Sequence, residues 1–491
     1  MIMDIVAGVL DTARRSPGAV AVIDGRGRPV TYGELRERVL AVRAAVTVSR
    51  PGEGVLFAVR PGPEAVALAL GAVAAGGMLV LVDPGVAPDV FAARMAAARP
   101  GWVVTESLLY LLSGPLAGLA RRRGLQLPRL ADPVPGTPLR HVYTGPWLPG
   151  VPRGAYRLRR GPAPEPEDGA GEQDAVVVFT SGTTGQPKGV VHSRASLARG
   201  VDMFRAAFPL GPGDVVHTDQ LMLGLPALMA GATWSLPGSA GRFAAELAER
   251  RATHAFAVPV RLDAALRAAG TLPGTLRHLL LGAAPAPPAV LRRAVAAAPN
   301  AEVLSVYAMT EALPIAVATA EEKLACQEGD LLGAPLPGVG VRIAEDGELH
   351  VSGPHLARRY LGGPPLAEVP TGDLVRLDAE GRLVLLGRKK DMILRDGVNI
   401  YPGLYEPAVA AFPGVAEAAI VGLADPETGD EEVVLAVVPA DGYDEGRLRA
   451  ALPGFVDAGA LPDRIVALPA LPRSGRAAKL DRAALREAVR A

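Results

Sequence analysis

Apolar and polar positions alternate along this chain in two rhythms. Helical patterns such as Thr31 to Val46 exchange with short apolar runs such as Val55 to Val59, and the exchange continues for most of the sequence, which predicts βαβ units. The stretch Ala65 to Val82 carries no charged residue over 18 positions, the lower limit for a membrane span. Gly71, Gly76 and Gly77 argue against a span. The break at Gly76-Gly77, followed by Met78 to Val82 and ended by Asp83-Pro84, predicts a buried helix turning into a buried strand. Between Pro146 and Gln173 the sequence becomes rich in Pro, Gly, Arg and Glu, which predicts an exposed connection or partly disordered loop. Near Gly387 a charged stretch sets off a C-terminal portion with its own strand and helix patterns. The expected fold class is α/β: a large N-terminal domain of βαβ-type sheets and helices over residues 1–387, and a small α+β domain over 388–491. No solenoid repeat or heptad pattern interrupts this organisation.

Composition narrows the picture. A chain of 491 residues is long enough for two to four packed units, and with aromatics at 4% its cores must be built from Ala, Val and Leu. Lys plus Arg balance Asp plus Glu at 51 each, so no long-range field favours nucleic acid or an anionic membrane surface. The run Arg121 to Arg123 reads as a solvated helix end. Cys326 is the single cysteine, which excludes an internal disulfide or a multi-thiolate metal site and suggests inert packing. The N-terminus lacks the charged, apolar and small-residue order of a secretory signal, so a cytoplasmic location is expected.

The chemistry concentrates in one loop. Asp174 to Phe179 predicts a strand that runs into Thr180-Ser181-Gly182-Thr183-Thr184-Gly185-Gln186-Pro187-Lys188-Gly189, then another apolar run. Four hydroxyls, three glycines and a lysine in so short a span can bring backbone N–H groups and hydroxyls close to phosphate oxygens. The order is not that of a P-loop NTPase, because no Gly-x-x-x-x-Gly-Lys-Ser/Thr occurs there. The full loop resembles the phosphate loop of the adenylate-forming superfamily: acyl-CoA synthetases, firefly-type luciferases and peptide-synthetase adenylation domains.

Further motifs follow in the order this resemblance requires. Gly282-Ala283-Ala284-Pro285 is similar to the family's adenine-side loop, and Tyr307-Ala308-Met309-Thr310-Glu311 to its next signature. The resemblance implies that Tyr307 stacks on adenine, Thr310 contacts the α-phosphate and Glu311 holds Mg2+, a hard ion suited to carboxylate oxygen. Alone, a Thr-Glu pair reads as a helix cap. Thr371-Gly372-Asp373 resembles the ribose site, with Asp373 accepting from the ribose hydroxyls; alone it reads as a β-turn. Gly387-Arg388-Lys389-Lys390-Asp391 resembles the hinge signature, with Arg388 near the ribose and Lys390 as the pivot of a mobile C-terminal domain. Asp396-Gly397-Val398-Asn399 and the following helix with Glu406 resemble the segment lining the thiol tunnel, although Leu404 occupies one acidic position of that pattern. Leu471 to Arg482 resembles the catalytic-lysine motif. Register from Leu480-Asp481-Arg482 favours Lys479 for that role, with Arg476, which directly follows Ser474-Gly475, as the rival.

The implied reaction is activation of a carboxylic acid by ATP to acyl-AMP, then transfer to the thiol of CoA or of phosphopantetheine on an acyl or peptidyl carrier protein. The region Asp214 to Trp234 should supply the acyl pocket, and it lacks the customary aromatic-histidine pair. Its apolar run Leu221 to Leu225, with Leu223 at the centre, suits an aliphatic chain or a plain core. Asp219 lies one residue short of the aspartate that amino-acid adenylation domains keep for the substrate ammonium. His217 and His254 could neighbour the pocket or be ordinary structural histidines. Three alternatives stay open: an amino-acid adenylation enzyme, a β-lactone synthetase as Glu311-Ala312-Leu313-Pro314-Ile315 suggests, and a nucleotide-binding regulator without turnover. The acid and the oligomeric state are not legible in the sequence.

Overall fold

The structure, a computed structural model, describes residues 4–81, 88–123, 125, 127–159, 161, 171–180, 188–238, 240–395, 398–424, 431–456, 458–475 and 478–490. The chain forms two compact units, one comprising Met1–Thr253, Thr310–Leu313 and Pro354–Ala367, the other His254–Met309, Pro314–Gly353 and Glu368–Ala491.

The first unit is built on a sheet whose strands run, in neighbour order, Arg359–Tyr360, Lys188–Ser193, Asp174–Thr180, Gly77–Leu81, Glu53–Ala58, Pro100–Glu106, Arg140–Thr144 and Tyr156–Arg157. From Asp174–Thr180 onward the pairing is parallel; Lys188–Ser193 and Arg359–Tyr360 join antiparallel. The two-residue period of each strand sorts its side chains into two cores. Val55, Leu79, Val104 and Val176 face one cluster with the helices Tyr32–Ala45 and Pro63–Ala74, while Leu56, Val80, Val103 and Val177 face another with Phe91, Met95 and Tyr110. The helix expected over Thr31 to Val46 starts at a capping box, in which Thr31 accepts from the Glu34 amide and the Glu34 carboxylate accepts from the Thr31 amide. The uncharged stretch Ala65 to Val82 gives the buried helix Pro63–Ala74 and the strand Gly77–Leu81. Among the described residues no helix is long and apolar enough to cross a membrane. The helix Ala117–Arg122 ends in exposed arginines, the solvated helix end expected there.

A second set of strands in the same unit, Val215–His217, Thr233–Ser235, Val20–Ile23 and Pro29–Thr31, carries the helix Leu221–Ala230. That helix lies against Trp234, which is fully buried.

The second unit begins with parallel strands His254–Ala257, His278–Leu281 and Glu302–Met309, with the helices Pro259–Ala269 and Pro288–Ala297 as crossovers. Antiparallel strands follow in the neighbour order Asp330–Pro335, Leu383–Arg388, Val369–Leu377, Glu348–Ser352 and Gly340–Ile343. From Ile393 the chain has cores of its own around the strands Val415–Ala424, Glu431–Pro439 and Arg464–Ala467. Ile420, Val433 and Leu435 pack with Val409 and Leu448 on one face; Val421, Val434 and Ala436 pack with Leu485 and Val489 on the other. This α+β segment and the α/β remainder give the fold class expected from the sequence.

A close approach between a helix and a buried ring in the first unit sets a stability prediction. A Cβ on Gly224 would lie 2.1 Å from the Trp234 ring, inside contact distance. Gly224→Ala should therefore destabilise the chain by about 1–3 kcal/mol through overpacking, seen as a lower melting temperature. Gly18→Ala, where a Cβ meets nothing within 4 Å, should change stability by less than about 0.5 kcal/mol.

Candidate functional site

Parallel strands buried on both faces leave their ends and the turns beyond as the places where polar groups can gather. In the first unit, Thr180 ends one strand and Lys188 opens the next, directly opposite it in register. Ser181, Gly182, Thr183, Thr184 and Gly185 lie outside the described residues. Lys188 is exposed, and its Nζ stands 5.5 Å from the centroid of the Tyr360 ring, a cation–π distance. The Tyr360 hydroxyl donates to Glu311 Oε1 at 3.1 Å. Burial and the Glu311 charge push the Tyr360 phenol up to about 12, so it remains a donor at neutral pH. Thr310 and Glu311 form a turn before the strand Ala312–Thr319, not a helix cap. The turn is held from two sides. His192 Nε2 lies 2.7 Å from the Thr310 carbonyl oxygen, and the Ala357 amide donates to the Glu311 carbonyl at 2.7 Å. The strand carrying Tyr360 is pinned in turn by Arg358 and Arg359, which both pair with the buried Asp174 carboxylate.

In the second unit, Gly282, Ala283 and Ala284 follow the C-terminal end of His278–Leu281. Ala283 has φ +66°, a left-handed conformation that non-glycine residues rarely adopt. Tyr307 lies near the end of the adjacent strand, and its hydroxyl donates to Asp373 Oδ2 at 2.6 Å. Asp373 is 3% exposed and sits within the strand Val369–Leu377, directly across from Arg388. Oδ1 is 2.8 Å from Arg388 Nε but outside hydrogen-bond geometry, so that oxygen keeps its accepting capacity. Burial raises the Asp373 carboxyl above its ordinary value, although Arg388 and Tyr307 oppose the shift. Burial and the Asp373 charge raise the Tyr307 phenol as well.

Lys479 opens the second arm of a hairpin with Arg473–Ser474. Partial desolvation, Arg388 and Lys390 hold its ammonium below the ordinary lysine value, while Asp373 acts in the opposite direction. The structure thus brings Lys479 into the electrostatic neighbourhood of Asp373, Arg388 and Lys390. Lys390 is exposed in the 3-10 turn Lys389–Asp391. Its neighbour Lys389 pairs with Asp346 at 2.6 Å and Glu348 at 2.9 Å, and Glu348 also accepts from the Gly372 amide at 2.9 Å. Gly372 takes φ +73°, which a side chain would strain. Gly397 and Arg476 lie outside the described residues.

The three substrate-pocket candidates are placed differently. His217 is completely buried, its Nδ1 3.0 Å from Ser235 Oγ and its Nε2 3.6 Å from Glu246 Oε2. Burial and Arg250 push it down to about 3, so it is a neutral imidazole. Asp219 is exposed and accepts from the Gln220 side-chain Nε2 at 2.9 Å. Leu223 is buried in the first turn of Leu221–Ala230. His254 stacks on His278 with ring centroids 4.8 Å apart.

Several groups at these sites were not singled out in the sequence: His192, Tyr360, Glu348 and the fully buried His355. The first three stand on paired strands and His355 lies in a turn, and no local motif marks any of them.

Among the described residues no cluster of three or more His, Cys, Asp or Glu is arranged to hold a metal. The carboxylate that the Thr310–Glu311 turn offers is that of Glu311. A single carboxylate fits Mg2+, which takes its remaining ligands from substrate phosphates and water.

Comparison with known proteins identifies the family. The sequence profile of AMP-binding enzymes matches residues 9–361, and that of the AMP-binding enzyme C-terminal domain matches residues 405–478. The chain belongs to the AMP-binding, or adenylate-forming, family. It is similar to the isonitrile lipopeptide synthase of Streptomyces coeruleorubidus, 30% identical across 97% of this chain and 33% of that protein. It also resembles the long-chain-fatty-acid–CoA ligase FadD13 of Mycobacterium tuberculosis, 30% identical across 60% of this chain and 63% of that one. The matches thus span about a third and just under two thirds of these curated relatives. Among solved structures, the amide bond synthetase McbA of Marinactinospora thermotolerans superimposes with a TM-score of 0.80 at 27% identity, covering 99% of both chains.

The Asp373 environment makes a pH prediction. A carboxyl whose folded pKa is raised binds protons more readily in the fold than in the unfolded chain, so its charge opposes folding above the folded pKa and has no effect below the unfolded value near 3.8. Asp373→Asn keeps an acceptor for Tyr307 and should melt at or above the parent temperature at pH 8. That advantage should shrink as the pH falls toward 4, as scanning calorimetry across the range would show.

Proposed function

We propose that this chain activates a carboxylic acid of aliphatic acyl type with ATP, forming acyl-AMP and pyrophosphate, and passes the acyl group to the thiol of CoA or carrier-protein phosphopantetheine. The observation carrying this reading is the buried Asp373 acceptor, bonded by Tyr307 and faced by Arg388, an arrangement suited to ribose hydroxyls, with Lys479 within reach of its charge. Asp373 and Arg388 take the ribose, Tyr307 with Gly282 to Ala284 takes the adenine, and Thr180 to Lys188 with Thr310 takes the phosphates.

In the first step an acid oxygen forms a bond to the α-phosphorus as the bridging bond to the β-phosphate breaks and pyrophosphate leaves. Two anions must meet, so fixed positive charge at the α-phosphate is the main requirement. Lys479 provides it, with its ammonium directed to the attacking oxygen and the α-phosphate. Lys188 and the loop before it orient the β- and γ-phosphates. Mg2+ held by Glu311, when bound, neutralises phosphate charge. In the second step the thiol gives up its proton to solvent, its sulfur bonds to the acyl carbon, the bond from that carbon to the phosphate oxygen breaks, and AMP leaves. Residues 388–491 act as the mobile domain, turning about Lys390 between the steps so that Gly397 replaces Lys479 at the acyl group.

The family relatives support acid activation and diverge on the acceptor: one is named a CoA ligase, another a lipopeptide synthase and a third an amide bond synthetase. An amine acceptor is therefore the second reading. ATP–pyrophosphate exchange across fatty, aryl, β-hydroxy and amino acids, each with CoA, a carrier protein or an amine, tests both. Exchange with a fatty acid and thioester formation support the proposal. Amide formation without thioester favours the second reading, and no exchange with any acid despite ATP binding favours a regulator.

Lys479→Ala should lower adenylation by about 10² to 10³, the usual effect of removing one such electrostatic donor, while preformed acyl-AMP is consumed at a near-parent rate. Loss of both activities to the same extent would contradict the two-conformation cycle.

A further inference from the structure

We propose that His192 is a positioning residue, which fixes the Thr310–Glu311 turn through a hydrogen bond from its imidazole to the Thr310 main-chain oxygen. The inference rests on the proposed roles of Thr310 and Glu311 at the nucleotide phosphates, and it adds a group that touches neither substrate nor metal.

The bond has one possible direction. A carbonyl oxygen only accepts, so Nε2, 2.7 Å away, must carry the ring proton. Nδ1 then presents its lone pair 3.3 Å from Ser196 Oγ, a hydroxyl set by the helix start, where it also accepts from the Ser193 amide at 3.1 Å. The residue is 6% exposed. Beside it lies His355, 1% exposed, with no hydrogen-bond partner at either ring nitrogen. Two adjacent buried imidazoles are tolerable when both are neutral, and burial drives both that way.

The strands explain why one bond matters. The main-chain oxygen of Glu311 is tied to Ala357, its carboxylate to Tyr360, and Ala312 bridges Leu356. All three ties come from residues 356–360. Thr310 itself is tied by His192, which stands on the strand Lys188–Ser193 that begins with the phosphate-loop lysine. The same strand pairs with Arg359–Tyr360 and so reaches Glu311 indirectly, but the His192 side chain is what joins it to Thr310. Without it, Thr310 loses its tie to that strand and a half-buried carbonyl loses this partner.

The test compares His192→Leu, similar in bulk but without a donor, with His192→Gln, whose amide N–H can reach the same oxygen. ATP binding is measured by calorimetry with and without Mg2+, together with kcat and KM for MgATP in pyrophosphate exchange. His192→Leu should weaken Mg2+-dependent ATP binding and lower kcat by about 10- to 100-fold, the range seen when a supporting hydrogen bond behind a metal ligand is lost. His192→Gln should recover most of both, and ATP binding without Mg2+ should stay near the parent in each. If His192→Leu does not fold, His192→Asn takes its place, since its shorter amide falls short of the Thr310 oxygen. Parent-like MgATP binding and kcat in the Leu or Asn variant would overturn the proposal. So would a folded Gln variant as impaired as the Leu variant, because the ring's shape would then be what counts. A parent protein that binds MgATP yet shows no exchange defeats the adenylation reading alone, and the calorimetric comparison still decides the role of His192. A parent that does not bind ATP defeats both.

Discussion

A parallel sheet covered on both faces has no room for charge except where its strands stop, and that restriction organises this molecule. Val55 and Leu56, or Val176 and Val177, are consecutive residues committed to opposite cores, so no polar side chain fits between them without loss. Thr180, Lys188, Gly282 to Ala284 and Tyr307 all fall at strand ends or just beyond. The antiparallel strands obey a looser version of the rule. There Asp373 sits within a strand, admitted because Tyr307 and Arg388 meet its two oxygens.

The parts of the fold written in short-range pattern were legible from the sequence. The helix Tyr32–Ala45 has its own cap, the strand Asp174–Thr180 is a continuous apolar run, and the helix and strand within Ala65 to Val82 are divided by glycines. What failed locally was context. Thr310-Glu311 taken alone reads as a helix cap and is a turn leading into a strand; Thr371-Gly372-Asp373 reads as a β-turn and places Asp373 in the body of a strand. In both cases partners more than forty residues distant, such as Tyr360 for Glu311 and Tyr307 for Asp373, decide the conformation. Pairing at that range leaves no trace in a window of ten residues.

The same reasoning explains why the motifs were readable and their supports were not. A phosphate loop needs glycine, hydroxyl and lysine close together, so its composition announces it. A support such as His192, Tyr360 or Glu348 needs the right strand and the right face, which many residue types satisfy. His217 shows the converse. By type and position it reads as a pocket neighbour or an ordinary structural histidine, and its side chain lies in a buried polar cluster with Ser235 and Glu246.

Asp373 carries a historical consequence. Its carboxylate is buried against the preference of the fold, so random substitution at this position drifts toward uncharged residues unless something penalises the change. If Asp373 takes the ribose as proposed, a lineage that had stopped using the nucleotide would be expected to shed this charge early, since losing it makes folding easier.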